Sequence, residues 1–293
     1  MYTKLFIDKY YSANSTQAKR MENQLDQLLA WVKDNNLNLS DIKVSQLDFM
    51  FGSKANISKT KFFETRRLLV NFFTWLSGQG LVDSEIVDEL TSLSIAELIE
   101  RADLFSVNFL DEDQLDERIC AAAGGASDAV LNIRSLALLY WHGVQVSSVP
   151  YIKKVDVDLK NASVFISREN RKIIVSKNAA KVFSSFAVKD EVKGFPGGNR
   201  MVYMPSQYLF RSAFSPKTNL RNISNLLHHF NECLSDNDKL FLSPVVLRRN
   251  GLFVKVHNSN SDDISAVTMI KNDSDLKIFM LYYNKWRQYF NLC

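Results

Sequence analysis

The sequence predicts a mainly α protein with a small β-sheet, divided into two domains. Amphipathic runs with helical spacing fill most of residues 15–90, and they carry little strand pattern. Short β-branched runs within residues 164–175 are typical of paired strands, and helical patterns surround them. A chain of 293 residues with 46% apolar side chains is long enough for two cores. We therefore expect a helical domain over residues 1–100 and a mixed domain over residues 101–293.

Charge is distributed unevenly along the chain. Residues 1–67 contain 11 basic and 7 acidic side chains, residues 68–117 contain 1 and 12, and residues 118–293 contain 24 and 13. Two basic segments flank an acidic one, as expected if two modules face a polyanion and the segment between them does not. This interpretation predicts a clamp around duplex DNA, joined near residues 92–108. The alternative is chance clustering of charges on solvated faces.

Several other classes of site find little support in the composition. Cys120, Cys233 and Cys293 lie far apart and form no CxxC pair, and there are only four histidines. No stretch approaches the roughly 20 apolar residues that span a bilayer. The first residues lack the long apolar run of a secretion signal. We expect a protein of the reducing cytoplasm, with no metal, no cofactor and no membrane partner.

Four helical runs are predicted in the N-terminal domain. They cover Ser15–Val32, a segment after Leu39, Ser58–Leu76 and Ser84–Leu90. Gly78 and Gly80 are expected to end the third run. Its apolar face is predicted to be core, at Phe62, Leu69, Phe73 and Leu76.

Basic residues are concentrated on two of these helices. Lys59 and Lys61 lie in a first helical turn, where the macrodipole disfavours cations. A helix start directed at phosphate would explain them, because backbone N–H groups and lysines then act together. The same two helices also carry Lys19, Arg20, Arg66 and Arg67. One hypothesis is that the helices lie in the major groove of DNA, and the other is that these are ordinary solvated faces.

The C-terminal domain is predicted to combine an apolar helix with a β-hairpin. The hairpin pairs residues 164–166 with 173–175 through a turn at Ser167–Lys172, and a helix follows from Ser176. Residues 194–199 are expected to form a loop and residues 222–233 a helix. That helix carries His228 and His229, which face different sides and so do not form a metal pair.

The order of motifs resembles that of the tyrosine recombinases, the phage-integrase family. The apolar helix ends in Gly143-Val144-Gln145-Val146-Ser147-Ser148-Val149, which is similar to the family's Gly-Leu-Arg-x-Ser-Glu-Leu. Leu242–Asn250 resembles Thr-Pro-His-x-Leu-Arg-His, and Asn272–Tyr282 resembles Gly-His-Ser-x-Leu-x-Thr-Thr-x-x-Tyr. Phe72–Gly80 resembles the phrase Phe-x-x-Trp/Tyr-Leu-x-x-x-Gly of the other domain. The resemblance covers roughly residues 5–290. It implies a SAM-like helical core-binding domain followed by a tyrosine-recombinase-type catalytic-domain fold.

The resemblance implies a catalytic set that is only partly retained. Arg248 takes an arginine position and Tyr282 takes the position of the nucleophile. Gln145 stands where an arginine would clamp the scissile phosphate, Val245 stands at a histidine position, and Asp273 falls where a second histidine or tryptophan belongs. Each departure removes positive charge or acid–base chemistry.

The hairpin turn departs from the family pattern as well. The lysine that protonates the leaving oxygen in active members aligns with Ser167 or Arg168, and arginine is a poor acid. Lys172 would substitute if the turn were shifted, and Arg249 is a second candidate to replace a lost group. Contacts to DNA are expected at Lys19, Arg20, Lys59, Lys61, Arg66, Arg168, Arg171, Lys172 and Arg249.

These observations predict a DNA-binding protein that is catalytically impaired, since attack by tyrosine on a phosphodiester needs cations around the oxygens that gain charge. The implied partners are double-stranded DNA and a partner recombinase or further copies of this chain. The implied role is integration or recombination of a mobile element, or site-specific regulation. The alternative is an active, divergent recombinase that forms a Tyr282 3′-phosphotyrosyl intermediate. A third hypothesis is a helical protein with no nucleic-acid role.

Overall fold

The mainly α fold with a small sheet is confirmed by the computed structural model. The structure describes residues 2–11, 15–51, 59–101, 111–123, 130–193, 200–232, 242–259, 261 and 263–292. Contacts divide the chain into two compact units, Met1–Leu104 and Phe105–Cys293.

The described part of the first unit is helical. Its helices are α1 (Tyr2–Tyr10), α2 (Thr16–Asp34), α3 (Lys59–Ser77), α4 (Glu85–Ser92) and α5 (Ile95–Arg101). The predicted runs at α2, α3 and α4 are confirmed. The run after Leu39 is instead two 3-10 helices, Leu39–Asp41 and Val44–Phe51. Helices α1 and α5 were not predicted, because nine and seven residues are too short to show a clear helical period.

Local signals in the sequence explain where the two long helices of this unit lie. The Ser15 side chain caps α2 by accepting a hydrogen bond from the Ala18 N–H at 3.0 Å. The predicted core face of α3 is confirmed: Phe62, Leu69, Phe73 and Leu76 are all at most 1% exposed. Helix α3 begins at Lys59, so both lysines lie in its first turn, as expected.

The described part of the second unit combines helices with two small antiparallel sheets. Its elements are α6 (Glu112–Ala122), α7 (Leu131–Trp141), β1 (Val157–Asp158), β2 (Ser163–Ile166), β3 (Arg171–Ile174), α8 (Lys177–Val188), β4 (Glu191–Lys193), β5 (Arg200–Val202), α9 (Leu220–Glu232), α10 (Pro244–His257), α11 (Ile264–Thr268) and α12 (Asp273–Tyr289). The first sheet has the order β1-β2-β3, and the second pairs β4 with β5.

The predicted β-hairpin is confirmed, but its turn is shorter than expected. Strand β2 pairs with β3 so that Val164 lies opposite Ile173 and Phe165 opposite Lys172. Asn170 has φ 47°, a left-handed conformation that Asn tolerates and that closes the turn early. As a result, Arg171 and Lys172 belong to strand β3 rather than to the turn.

An ion pair joins three helices of the second unit. Arg134 on α7 contacts Asp116 on α6 through two hydrogen bonds, Nε to Oδ1 and Nη2 to Oδ2, both 2.7 Å. Asn178 on α8 donates to the same carboxylate at 3.0 Å. Burial would raise the pKa of Asp116, but the hydrogen bonds from Arg134 and Asn178 hold it below its ordinary value.

Helices α7 and α10 approach each other closely at Gly251. A Cβ built on Gly251 would lie 1.8 Å from the Trp141 carbonyl oxygen, so only glycine fits at this crossing. Just beyond it, Gly143 takes φ 85° and ends α7 in a sharp turn. These two glycines place the turn after α7 beside the first half of α10.

Some sequence predictions fall outside the described residues, namely the loop at 194–199 and the environments of Cys233 and Cys293. Within the described ranges, His228 pairs with Glu232 at 3.2 Å, and no cluster of His, Cys, Asp or Glu is arranged to hold a metal ion. None of the described helices combines the length and apolar composition needed to cross a bilayer.

Candidate functional site

A cavity of about 560 Å³ in the second unit brings together most of the predicted catalytic positions. Its walls come from the turn after α7, the first half of α10, the segment after α11, and α12. Side chains of the predicted set line it at Gln145, Val245, Arg248, Arg249 and Tyr282. Most of its remaining wall is apolar, including Val144, Val146, Leu252, Met269, Ile270, Ile278 and Phe279. We call this space the Arg248 cavity.

Arg248 lies between this cavity and a second one of about 590 Å³. The second cavity is also lined by the cations Arg171, Lys172 and Lys255. Arg248 is half-buried, and no acceptor among the described residues lies within hydrogen-bonding distance of its buried Nε. A buried guanidinium N–H without an acceptor costs free energy, so an anionic or carbonyl acceptor bound there would be favourable.

Tyr282 is part of the core, not of the surface. Its side chain is 1% exposed, and the guanidinium carbon of Arg249 lies 3.8 Å from the centroid of its ring. Burial lowers the pKa of Arg249, while the charge and hydrogen bond of Tyr282 act in the opposite direction. Arg249 therefore covers the ring that the sequence places at the nucleophile position.

Gln145 is exposed at the mouth of the cavity and is held through its backbone. Its N–H donates to Oε1 of Glu169 in the hairpin turn at 3.0 Å. Arg171 donates to Oε2 of Glu169 at 2.6 Å and to the Gly143 carbonyl at 2.9 Å. Burial would raise the pKa of Glu169, but the hydrogen bonds from Gln145 and Arg171 hold it below its usual value. Glu169 thus joins the hairpin to the turn after α7.

The remaining hairpin cations are exposed. Arg168 donates to the Ser147 carbonyl at 2.9 Å, and Lys172 lies 3.9 Å from Asp158 in an open ion pair. Ser167, the other candidate for the lysine position, is exposed at the turn. Neither Ser167 nor Arg168 lines the Arg248 cavity, whereas Lys172 lines the neighbouring one.

Val245 and Asp273, the two remaining departures from the family pattern, lie in different places relative to the cavity. Val245 is 49% exposed in the first turn of α10 and lines the Arg248 cavity. Asp273 is exposed at the first position of α12, where Asn272 caps the helix, and it does not line the cavity. Asp275, two residues later, does line it. Asp275, and not Asp273, therefore brings a carboxylate to the wall of this cavity.

The predicted cations of the first unit have mixed environments. Arg20 pairs with Glu64, and Arg66 donates to the Leu93 carbonyl at 2.9 Å beyond the end of α4. Lys59, Lys61 and Lys19 are exposed. Arg66 therefore has a local role in holding two helices together, whereas the three lysines project from the surface.

Sequence reasoning missed Glu169 and the polar network behind the second cavity. Glu112 contacts His142 at 3.3 Å and accepts a hydrogen bond from Ser176. Burial would raise the pKa of Glu112, but these hydrogen bonds lower it. The Asp111–Gln114 capping pattern was a readable signal for the start of α6, yet no local pattern indicates that Glu169 turns back onto residue 145.

Comparison with known proteins gives matches among solved structures only. No protein-family model matches the sequence, and no curated protein matches it. XerA recombinase is similar at 16% identity with a TM-score of 0.43, over 98% of this chain and 97% of that chain. The Tn1549 transposon integrase in complex with circular intermediate DNA gives 11% identity and 0.41, over 95% and 94%. A lambda integrase dimer bound to a COC′ core site gives 14% and 0.40, over 95% and 93%. These proteins are tyrosine recombinases, the family that the sequence resembles.

Proposed function

We propose that this chain is a DNA-binding protein of the tyrosine-recombinase fold whose strand-cleaving chemistry is impaired. The observation that carries the proposal is the lining of the Arg248 cavity. Gln145 and Val245 occupy the two positions where the resemblance expects an arginine and a histidine, and the wall around them is mostly apolar. Arg248 is retained at the arginine position, and its buried Nε has no hydrogen-bond acceptor among the described residues.

The impairment follows from electrostatics. In-line attack by a tyrosine places charge on the non-bridging oxygens of the phosphate, and fixed cations must meet that charge as it develops. Gln145 can donate a hydrogen bond but neutralises nothing. Losing one preorganised donor commonly lowers the rate by ~10²–10³, so the loss of two reduces cleavage further, although such losses are not additive.

Binding requires less of the site than cleavage does. Phosphate contacts need cations that can approach the backbone, without a nucleophile or an acid. Exposed lysines at the start of α3 supply such cations in the first unit, and the cations of the hairpin supply them in the second unit. We further propose that both units contact the same duplex as a clamp, and that the chain serves a mobile element as an accessory subunit or acts as a site-specific regulator.

Salt dependence of DNA binding tests the binding half of the proposal. The logarithm of affinity for duplex DNA should fall linearly with the logarithm of salt concentration. Replacing Lys59 and Lys61 together by Gln should reduce the slope by about 2, at ~0.9 for each phosphate contact. The matched control is the double replacement of Lys33 and Lys43, which are exposed elsewhere in the first unit. If the affinity of the wild-type chain for duplex DNA does not change with salt concentration, the result would favour the hypothesis of a helical protein with no nucleic-acid role.

A second candidate function is supported by Arg249. With Arg248, it places two guanidinium groups at one cavity, and it contacts the Tyr282 ring directly. If Arg249 replaces the cation missing at Gln145, the chain is an active recombinase that forms a Tyr282 phosphotyrosyl intermediate. This requires Tyr282 to leave the core position in which it is 1% exposed.

A nicked suicide substrate separates the two candidates. Such DNA traps the covalent intermediate, because the cut fragment diffuses away before religation. We expect no covalent adduct on a denaturing gel for the wild type, and DNA affinity within about twofold for Tyr282→Phe. An adduct that disappears in Tyr282→Phe would establish the active recombinase instead.

A further inference from the structure

Two cations of the second unit lie on the ring of one exposed tyrosine. Lys217 Nζ lies 3.4 Å from the centroid of the Tyr151 ring, and the guanidinium carbon of Arg168 lies 4.7 Å from it. Lys217 also lies 5.2 Å from the ring of Tyr208. We call Tyr151, Arg168, Tyr208 and Lys217 the Tyr151 cluster. Tyr151 is 38% exposed and Arg168 is exposed as well, whereas Tyr208 and Lys217 are half-buried.

The fold brings three separate segments together at this cluster. Tyr151 ends a 3-10 turn, Val149–Tyr151, directly after the turn that lines the Arg248 cavity. Arg168 is anchored to that same turn by its hydrogen bond to the Ser147 carbonyl. The backbone around Lys217 is fixed by Ser215, whose hydroxyl donates to the Lys217 carbonyl at 2.6 Å. Tyr151, Arg168 and Lys217 are therefore held from three separate segments.

The arrangement places like charges close together. Since both cations contact the same ring, at 3.4 and 4.7 Å, they are no more than about 8 Å apart, which is about the screening length at physiological salt. No carboxylate among the described residues forms an ion pair with Arg168 or Lys217. Glu169 is engaged by Arg171 and Gln145, and Asp156 accepts from the Lys153 N–H at 2.7 Å. An anion that contacts these cations would offset their like charge.

We propose that the Tyr151 cluster is a second phosphate-binding site, which contacts the DNA backbone outside the Arg248 cavity. The inference rests on the proposed function that the chain binds DNA. The cations lie against the tyrosine ring, which leaves it poorly placed to stack on a base and favours phosphate as the ligand. Because Ser147 lines the Arg248 cavity and accepts from Arg168, one strand can contact both places.

The aromatic rings should make this site bind phosphate more tightly than isolated surface lysines do. A flexible lysine loses side-chain entropy when it contacts a phosphate, and a lysine already held over a ring loses less. Cation–π contacts at exposed sites are worth enough to change affinity about two- to fivefold. Tyr151 is thus a positioning residue, and Arg168 and Lys217 are the binding residues.

Salt-dependent binding of the full-length chain to non-specific duplex DNA tests the proposal. Lys217→Gln should weaken binding several-fold and reduce the salt slope by about 1, the value for one lost phosphate contact. Lys181→Gln, an exposed lysine on α8, is the matched control and should leave the slope unchanged. Tyr151→Leu should weaken binding about two- to fivefold with an almost unchanged slope, since both charges remain. Tyr151→Phe keeps the ring and should bind like the wild type.

The outcomes separate this site from the function on which it rests. Wild-type binding without salt dependence would overturn the proposed function, and the site with it. Normal wild-type binding together with an unchanged slope for Lys217→Gln would overturn the site alone. Equal affinities for Tyr151→Leu and Tyr151→Phe would remove the positioning role of the ring. Thermal unfolding of each variant confirms that the fold is intact.

Discussion

The crossing of α7 and α10 differs sharply from the rim of the Arg248 cavity, only a few residues away in the chain. At the crossing, a Cβ on Gly251 would lie 1.8 Å from the Trp141 carbonyl oxygen, so packing dictates the residue. At the rim, Gln145 is exposed and Val245 is 49% exposed, so packing permits many residues. Packing therefore fixes where the site lies, whereas the side chains that determine its chemistry are free to change.

The largest effect should come from breaking the crossing. Gly251→Ala forces α10 away from α7 and should lower the free energy of unfolding by about 3 kcal/mol or more, because the clash is with backbone. Gly78→Ala is the matched control, since a Cβ there meets the Thr74 and Trp75 carbonyls at an ordinary 3.5 Å. Denaturant unfolding of the two variants measures the difference. Equal stabilities would mean that the two helices are not in close contact in solution.

The ion pair between Arg134 and Asp116 should make the next largest contribution to the stability of the second unit. Asp116→Asn should cost about 3 kcal/mol, because Arg134 then lacks a charged partner in a largely buried place. The pKa of Asp116 is lowered by folding, so its contribution is present above the ordinary value of ~3.9 and is lost as pH falls through the lower, folded pKa.

The pH dependence provides the check on this second prediction. The stability difference between wild type and Asp116→Asn should be constant near neutral pH and should shrink below about pH 4. A difference that stays constant down to pH 2 would show that charge at Asp116 contributes nothing.

The difference between the packed core elements and the exposed residues around the Arg248 cavity also explains what could be predicted from sequence. Helix α2, the core face of α3 and the β2–β3 hairpin follow from local periodicity and from caps such as Ser15, and these predictions were confirmed. The contact of Glu169 with Gln145 joins residues 24 positions apart and leaves no local pattern. The early closure of the hairpin depends on a left-handed Asn170, which the sequence permits but does not demand.

A smaller effect is expected where the hairpin meets the rim. Glu169→Gln should cost about 1–2 kcal/mol, because its carboxylate accepts charge-assisted hydrogen bonds from Arg171 and the Gln145 N–H. Glu191→Gln is the control, since the Glu191–Arg200 pair is exposed, is screened by solvent and should contribute little to stability. Amide hydrogen exchange at Gln145 should become faster only in Glu169→Gln. Unchanged protection of that amide would remove Glu169 from its role in joining hairpin and rim.

The smallest effect should come from the residue that would matter most to an active recombinase. Tyr282→Phe keeps the ring that packs in the core and against the Arg249 guanidinium at 3.8 Å, and it removes only the hydroxyl. The loss of one hydrogen bond predicts a change of about 1 kcal/mol in the free energy of unfolding. Tyr282→Leu removes the ring as well and leaves Arg249 half-buried without its aromatic contact, so it should cost about 2 kcal/mol more. Denaturant unfolding of both variants measures whether the ring or the hydroxyl matters. If Tyr282→Phe proves as destabilising as Tyr282→Leu, the hydroxyl is held by a stronger network than its contact with Arg249, and the cavity is more highly organised around that oxygen than an impaired site requires.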